Sequence, residues 1–341
     1  MSAIRTKDYL SLTKCVAAML LAIVGAISSV PTAAIAGQQQ HVDQSAASDL
    51  EREMRVARVG YRLSRAAVGL CDHPEPITGM VLHDIGSYAE ADRSAVSRAY
   101  HLGRGFGVRL VVVDGAAARS GIRTGDEIVS LDGQELATFA PELIGHGGSP
   151  ARTERFIALL RDVLASGHAT LGLERSDGLH TIILVPDSGC SGKFVVTPSS
   201  ELNGWSDGTG VAITSRLVDF LRDDDELAYI LAHEMGHNIL HHAERTKGHS
   251  ILLASVGIGA GLIKTTEIEA DKFAVKLMLL ARYDPVGGER FLRRLSTGAI
   301  LEIAFTHQGS ARRIETLREA RAALTRKQQA DSATASRQSN P

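Results

Sequence analysis

The chain has 341 residues, of which 44% are hydrophobic and 22% are charged. These values are ordinary for a soluble globular protein, and the length suggests about two domains. The formal net charge is −2, so the chain lacks the excess of Lys and Arg that would neutralise nucleic-acid phosphates. Composition therefore argues for a globular protein without a nucleic-acid partner.

The N-terminus has the layout of a secretory signal over residues 1–36. Basic residues precede an apolar run over residues 15–30, and a small-residue cleavage pattern ends at Ala36. We therefore expect a mature protein that begins at Gly37 and is exported to the periplasm or another part of the cell envelope. The alternative is an uncleaved anchor, although the apolar run is shorter than the ~20 residues that span a bilayer.

Residues 37–48 are polar and rich in Gln, which predicts a flexible lead. From Leu50 to Leu70 the apolar residues recur at helical spacing, so this stretch predicts an amphipathic helix. Its polar side carries a basic stripe formed by Arg52, Arg55, Arg58, Arg62 and Arg65. Such a stripe is expected to be a solvated face, and peripheral membrane contact is the alternative.

Two cysteines, Cys71 and Cys190, remain after removal of the predicted signal. Exported compartments are oxidising, so we expect these two residues to form a disulfide bond. The alternative is a pair of small buried side chains without a bond.

Ile230 to Asn238 reads ILAHEMGHN and contains the strongest chemical pattern of the chain. His233 and His237 are four residues apart, so on a helix their imidazoles lie on one face and can hold one metal ion. Glu234 is placed to act as a general base on a water molecule. Asp223 precedes this run as a candidate N-cap. The alternative is two buried histidines on an ordinary helix.

A third metal ligand must come from elsewhere in the chain. The sequence Glu267-Ile268-Glu269-Ala270-Asp271 leads into another helical run. Glu267 and Asp271 are also one helical turn apart, so one carboxylate can bind the metal while the other orients a liganding histidine. An acidic helix start of this kind is also common as simple capping.

Together, HEMGH and EIEAD resemble the gluzincin zinc peptidases of the CAAX prenyl endopeptidase and HtpX type, peptidase family M48. The resemblance covers about residues 188–324. It implies an α+β, mainly helical peptidase domain with one Zn²⁺ per chain, held by His233, His237 and Glu267. It also implies Glu234 as catalytic base and Asp271 as the residue that orients a ligand.

Two flanking segments extend the resemblance. Asn203 and the following stretch Val211–Thr214 are similar to the family's segment that pairs with the substrate backbone, which implies Asn203, Val211 and Ile213 as substrate-binding residues. His307 and Arg313 resemble the family's THP…RI motif and imply a His that stabilises the transition state or blocks the metal, with an Arg close by. The alternative is a surface histidine with Arg313 on a solvated helix face.

Between the cysteines, the order of strand, small-residue turn, Gly-Asp turn and hairpin resembles a PDZ domain. The resemblance implies a β-barrel-like module in which Gly105, Phe106, Gly107 and Val108 receive a C-terminal peptide. The groove helix would be Arg152–Leu164. The alternative is a spacer without a ligand, in which this run is only a turn before a buried strand.

These observations predict five segments: signal 1–36, linker and first peptidase helix 37–98, inserted PDZ-like module 99–187, peptidase domain 188–325, and disordered tail 326–341. The predicted function is zinc-dependent endoproteolysis of proteins or peptides in the cell envelope, with the PDZ-like module recruiting or gating substrates. A PDZ-based chaperone or adaptor with a latent zinc site is the alternative. The apolar stretch 251–263 is expected to be buried or to dip into a membrane surface.

Overall fold

The structure, a computed structural model, describes residues 32–190, 193–246, 260–297 and 310–338. Contacts divide the chain into two compact units, residues 1–48 and 49–341. In the first unit the described residues, 32–48, are helical. Three predictions lie wholly or largely outside the described residues: the signal peptide, the role of His307, and the apolar stretch 251–263.

Within the described residues the α-helices are α1 (Thr32–Ala66), α2 (Glu90–Tyr100), α3 (Ala116–Arg119), α4 (Ala151–Leu164), α5 (Ser215–Phe220), α6 (Asp224–Ile239), α7 (His242–Arg245), α8 (Ala260–Leu280), α9 (Val286–Thr297) and α10 (Ser310–Gln338). None of these helices combines the length and apolar character needed to cross a bilayer.

The strands of the same part of the chain are β1 (Glu75–Ile77), β2 (Met80–His83), β3 (Phe106–Val111), β4 (Glu127–Leu131), β5 (Gln134–Glu135), β6 (Ala169–Arg175), β7 (Gly178–Leu184), β8 (Asp187–Gly189), β9 (Phe194–Thr197), β10 (Gly204–Ser206) and β11 (Val211–Thr214).

The buried apolar residues form two large cores. The helical core takes its residues from two separate stretches, Val56–Ala67 and Cys190–Leu317. The sheet core takes its residues from the intervening stretch, Leu82 to Leu184. We call residues 80–184 the sheet unit. Its first strand begins at Met80, well before the predicted boundary at residue 99, because β2 pairs with β3.

The sheet unit is built on one antiparallel sheet with strand order β2-β3-β4-β6-β7, and β5 pairs with β4. Helix α4 covers the sheet core, where the ring of Phe156 stacks on Phe106 with centroids 4.0 Å apart. A buried ion pair between Arg152 and Asp84, 2.5 Å apart, fastens the start of α4 to the residue after β2. Strands β2 and β7 are the outer strands of this sheet, since each pairs with a single neighbour.

A second, three-stranded sheet lies after the sheet unit in the chain, with strand order β10-β11-β9. Strand β11 pairs antiparallel with β10 and parallel with β9, so it is the middle strand. Both edges of Val211–Thr214 are therefore occupied, and the prediction that this stretch pairs with the substrate backbone is wrong. Val211 and Ile213 are 2% and 0% exposed and belong to the helical core, because their side chains point inward from this middle strand.

The basic stripe of α1 contacts other helices of the helical core instead of facing solvent. Its arginines make these contacts: Arg52 with Asp219 at 2.7 Å, Arg55 and Arg58 with Asp224 at 3.0 and 2.7 Å, and Arg62 with the carbonyl oxygen of Arg282 at 3.0 Å. The expectation of a solvated face is wrong because acidic residues of α5 and α6, far away in sequence, lie opposite the stripe.

Asp187 joins α1 to the sheet unit. Its carboxylate accepts hydrogen bonds from Tyr61 Oη at 2.5 Å and Arg119 Nη2 at 2.6 Å, and it lies 3.2 Å from Arg65 Nε. Burial alone would raise the pKa of Asp187, but these hydrogen bonds and the Arg65 charge outweigh it and lower the pKa. Burial and the bond to Asp187 raise the pKa of Tyr61 to about 12.

The predicted disulfide between Cys71 and Cys190 is present, with the Cα atoms 6.0 Å apart. It joins the residues that lie just before and just after the stretch containing the sheet unit. The bond therefore ties together the two positions at which the chain leaves and re-enters the helical core.

Two helix boundaries differ from the sequence-based expectation. Helix α1 begins at Thr32 and ends at Ala66, although a flexible lead was expected before Leu50. Helix α10 continues to Gln338, where a disordered tail was expected. Both extensions are rich in Ala and Gln, and the second also in Arg and Lys, which have high helix propensity without an apolar stripe. Periodicity alone does not reveal such segments.

Candidate metal centre

Both histidines of HEMGH lie on α6, whose start is set by Asp223. The Asp223 carboxylate accepts the backbone N–H of Glu226 at 3.0 Å, so it is the N-cap predicted from the sequence. Residues Glu226 to Gly236 are buried without interruption, so the helix is enclosed on all its faces. His233 and Glu234 are consequently 1% and 5% exposed.

Helix α8 packs closely along α6 and brings a carboxylate to the two histidines. The helices approach at Gly236, where an added Cβ would lie 3.1 Å from the Phe273 ring and 3.4 Å from the Ala270 Cα. Glu267, at the same face of α8, lies 3.4 Å from His233 Nε2 and 3.5 Å from His237 Nε2. The two Nε2 atoms are 3.1 Å apart.

These distances fit a single small cation. Tetrahedral coordination at ~2.0–2.1 Å places neighbouring ligand atoms about 3.3 Å apart. The three separations among His233, His237 and Glu267 lie within a few tenths of an ångström of that value, and these residues are the metal-binding group found among the described residues. The donor set is therefore suited to a divalent cation, as the sequence predicts.

The pKa values of these three groups are shifted by burial and by their neighbours. Burial and the Arg313 charge would lower the pKa of His233, but hydrogen bonds to Asp271 and Glu267 raise it to about 9. Burial and the charge of His233 lower the pKa of His237 to about 3. Burial would raise the pKa of Glu267, but His233 lowers it to about 2. At neutral pH, therefore, Glu267 is ionised and His237 is neutral, which are the forms in which these side chains bind a metal ion.

Asp271 orients His233 from behind. Its Oδ1 lies 3.1 Å from His233 Nδ1, so that nitrogen donates a proton and Nε2 keeps its lone pair for a metal. The same carboxylate accepts hydrogen bonds from Tyr229 Oη at 2.7 Å and from Arg313. Arg313 and Asp271 are 3% and 1% exposed, so Arg313 does not lie on a solvated face.

His237 is oriented by a second relay that sequence reasoning missed. His242 Nε2 lies 3.0 Å from Glu269 Oε2, which can only accept, so Nε2 carries the proton. In neutral His242 the other nitrogen, Nδ1, then accepts from His237 Nδ1 at 3.0 Å. His237 Nε2 is thereby left as a lone-pair donor. Arg245 holds Glu269 at 2.5 Å.

The signal for this relay was the histidine five residues after His237 combined with the second Glu of EIEAD. That histidine is His242. It is only 2% exposed because the chain turns back at His241, whose φ is 53°, and places His242 under the end of α6.

Glu234 lies on the side of α6 that faces strand β10 of the three-stranded sheet. Burial raises the pKa of its carboxyl group, and a hydrogen bond from the Ser206 side chain opposes that rise. Ser206 belongs to β10, one of the two outer strands of the three-stranded sheet within the described residues. The candidate general base is therefore held by the strand that borders the site.

Asn238 fixes this strand to the metal-binding helix. Its Oδ1 accepts the N–H of Gly208 at 2.8 Å and its Nδ2 donates to the Gly210 carbonyl at 2.9 Å. Both partners lie in the turn between β10 and β11. The amide following the second metal-binding histidine thus sets the position of β10 relative to the metal-binding group.

The prediction that the loop from Gly105 leads into a peptide-binding strand is wrong. Strand β3 has β2 on one side and β4 on the other, so both of its edges are paired. The N–H groups of Gly103 and Gly105 already donate to the Glu127 carboxylate, at 2.9 and 2.6 Å. Phe106, Gly107 and Val108 are buried, since this strand is central in the sheet unit.

Two histidines and a carboxylate that converge deep in a helical core, beside a second carboxylate, form the donor set of a metal-dependent hydrolase. Residues 192–266 match the sequence model of Peptidase family M48, a stretch that contains α6 and ends one residue before Glu267. This segment of the chain is therefore similar to metal-dependent peptidases of that family, which supports a metallopeptidase type of hydrolase.

A search of curated proteins gave no match. Among solved structures, the chain is similar to the crystal structure of the HtrA3 PDZ domain bound to a phage-derived ligand (FGRWV). The alignment has 19% sequence identity and a TM-score of 0.24, and it covers 34% of this chain and 89% of the other. A score this low carries no argument about the sheet unit.

Proposed function

We propose that the protein is a zinc-dependent endopeptidase that cleaves unfolded or misassembled proteins in the cell envelope. The observation that carries this proposal is the tetrahedral spacing of His233, His237 and Glu267, with Glu234 buried beside them. Two imidazoles and one carboxylate are ligands that Zn²⁺ commonly takes in catalytic sites. When bound there, zinc would polarise the substrate carbonyl and make water more acidic.

Glu234 is proposed to transfer the protons of peptide hydrolysis. Its carboxylate accepts a proton from the attacking water and returns it to the nitrogen of the leaving amine. The Ser206 side chain, which hydrogen-bonds to the same carboxyl group, holds it toward the strand that borders the site. His307 is proposed to stabilise the developing oxyanion or to block the metal before substrate binds.

The substrate backbone is proposed to pair with β10. Asn203 O accepts from Thr214 N–H at 2.9 Å, and Asp207 N–H donates to Gly210 O at 3.3 Å, so both point their backbone groups at β11 or the turn. Along an antiparallel strand the backbone N–H and C=O groups of successive residues point alternately to the two edges. The backbone groups of Gly204 and Ser206 therefore face the outer edge of β10. An extended peptide can add to that edge, with Asn203 at its beginning.

The sheet unit is proposed to be a PDZ-like module that recruits or gates substrates. If it binds a C-terminal peptide, the strand that would receive the peptide is β2, which is an outer strand and lies next to α4. A peptide-binding chaperone or adaptor with a latent metal site is the second candidate, and it depends on the same edge.

Export is the proposed location. The disulfide between Cys71 and Cys190 supports it, since such bonds persist in oxidising compartments and are rare in the cytosol. We also propose that each chain binds one zinc ion and that its substrates are peptides or proteins.

The first experiment compares the wild-type chain with Glu234→Gln, which keeps the shape of the side chain and removes its basicity. Zinc content is measured by elemental analysis and cleavage of unfolded casein by mass spectrometry. The matched control is Glu244→Gln, an exposed glutamate close to the same helix. We expect one zinc per chain in all three proteins and cleavage by the wild type and the control only.

The adaptor is tested on the same proteins by suppression of aggregation of an unfolded client. Suppression by both the wild type and Glu234→Gln, with no cleavage by either, supports the adaptor and contradicts the peptidase. Cleavage that depends on Glu234 establishes the peptidase whether or not suppression is also seen.

A further inference from the structure

The three-stranded sheet has an apolar outer face beside the candidate metal centre. Strand register places Trp205 opposite Ala212 and Ala212 opposite Val195, so these three side chains form one row across the sheet. Trp205 is 39% exposed and Val195 is 41% exposed. The row borders a shallow depression of about 30 Å³. The outer face is therefore an exposed aromatic and aliphatic surface.

The other face of the same sheet points at α6. Val211 and Ile213 are buried in the helical core, and Ser206 reaches Glu234. Successive residues of a strand point to opposite faces. Along β10, therefore, Ser206 is directed at the candidate general base while Trp205 is directed away from it, onto the outer face.

A peptide added to the edge of β10 would share this alternation. Side chains on directly opposed residues of neighbouring strands lie about 4.5–5.5 Å apart, close enough for contact. One set of substrate side chains would turn toward α6, and the other set would lie beside Trp205. Burying an apolar side chain against an exposed indole removes water from both surfaces.

We propose that Trp205 is a specificity-determining residue that selects substrates with an apolar side chain, aliphatic or aromatic, next to it on the outer face of β10. This inference rests on the proposed peptidase function and names its substrate class as apolar segments of unfolded chains. Such segments are buried in folded proteins, so the preference also separates unfolded from folded substrates.

The surroundings of the row fit an extended peptide. The aliphatic stem of Lys193 covers Gly210, where an added Cβ would lie 3.0 Å from Lys193 Cγ and Cδ. The Lys193 amine reaches Glu154 of α4 at 3.3 Å. The Asp207 carboxylate accepts hydrogen bonds from the backbone N–H groups of Thr209 and Gly210 in the turn. These polar groups lie at the margin, which leaves Trp205 as the large apolar contact.

Binding is tested without cleavage, because Trp205 is the one tryptophan among the 341 residues. The zinc-loaded Glu234→Gln protein is titrated with peptides of Ala, Ser and Gly in which a single Leu is moved along the chain. We expect the tryptophan emission to shift to shorter wavelength when Leu occupies alternate positions, and not when Leu is at the positions between. A shift independent of the position of Leu, or none for any peptide, overturns the proposal.

Cleavage of the same peptides by the active protein gives the second test. In the wild type, Leu at a favoured position should raise kcat/KM roughly five- to tenfold over Ser. Trp205→Ala should reduce this ratio to about one, and Trp205→Phe should keep most of it. The control Leu280→Ala removes another exposed apolar side chain, 51% exposed at the end of α8, and should leave the ratio unchanged.

The outcomes distinguish this inference from the proposed function. An alternating emission shift without cleavage by any protein contradicts the peptidase and retains the apolar docking surface. Cleavage with a Leu-to-Ser ratio that is the same, within twofold, in the wild type and Trp205→Ala retains the peptidase and overturns the role of Trp205.

Discussion

Arg313 and Asp271 form a buried two-point ion pair that ties α10 to α8, with Nε 2.9 Å from Oδ2 and Nη2 2.7 Å from Oδ1. Asp271 also orients His233. The last described helix of the chain is thereby connected through one carboxylate to a residue of the metal-binding group.

Replacing Arg313 by Met should lower the free energy of unfolding by about 3–5 kcal/mol, because it leaves the Asp271 carboxylate charged and buried without its partner. Urea denaturation measures this loss. Arg312→Met is the matched control, since its neighbour Arg312 is exposed, and it should change stability by about 0.5 kcal/mol or less. Equal effects of the two variants would contradict the ion pair.

Breaking the relay behind His237 should weaken metal binding. Glu269→Leu removes the acceptor for His242, so the tautomer of His237 is no longer set, and zinc affinity should fall about 10- to 100-fold. Competition with a chromophoric chelator measures it. Glu269→Gln keeps an oxygen acceptor and should restore much of the affinity, which a loss through misfolding would not show. The control is Glu244→Gln, in the short helix α7 that carries His242.

Removal of the disulfide should destabilise the protein by about 2–5 kcal/mol, since the bond restricts a long loop of the unfolded chain. The variant Cys71→Ala/Cys190→Ala, compared with the oxidised and the reduced wild type in urea, measures the effect. The reduced wild type should match the variant. In denaturant without reductant, a chain that retains residues 1–36 should show one thiol, that of Cys15, and three thiols would refute the bond.

The junction at Asp187 should make stability depend on acid. The pKa of Asp187 is lowered in the folded protein, so its stabilisation is present above about pH 4, the unfolded value, and is lost as pH falls through the folded value. Asp187→Asn should be less stable by about 1–3 kcal/mol at neutral pH. That difference should shrink below about pH 4 in urea denaturation curves. A difference that stays constant down to pH 2.5 would contradict the assignment, and the exposed Asp162→Asn is the control.

The helix that carries His233 and Glu234 could be predicted from the sequence because its signals are local. The N-cap Asp223 and the histidine spacing each lie within one or two turns of the chain. The disulfide was predictable for another reason: two cysteines remain after the predicted signal, and the predicted exported compartment favours their oxidation.

Strand positions were not predictable in the same way. The sequence around Val211 and the sequence around Phe106 both read correctly as strands, but whether a strand is central or outer depends on which other strands pair with it. Strand β9 covers one side of β11, and β2 covers one side of β3. Both partners are only four residues long, which is too short for the sequence pattern to specify which strand they pair with.

Contacts between distant helices were hidden for a similar reason. A row of arginines looks the same whether it faces water or a row of aspartates that comes much later in the chain. His242 and Glu269 are 27 residues apart and meet only because α6 and α8 pack together. The local sequence of neither residue indicates the other.

The division of the helical core into two stretches of sequence fixes an order of events during synthesis. Arg52 emerges 167 residues before its partner Asp219, whereas the sheet unit has all the residues of its own core in one stretch. The sheet unit can therefore fold while α1 still lacks its partners. The arginine that supports the metal-binding group, Arg313, is made near the end. A nascent chain thus has no complete proposed active site until almost all of it has been made.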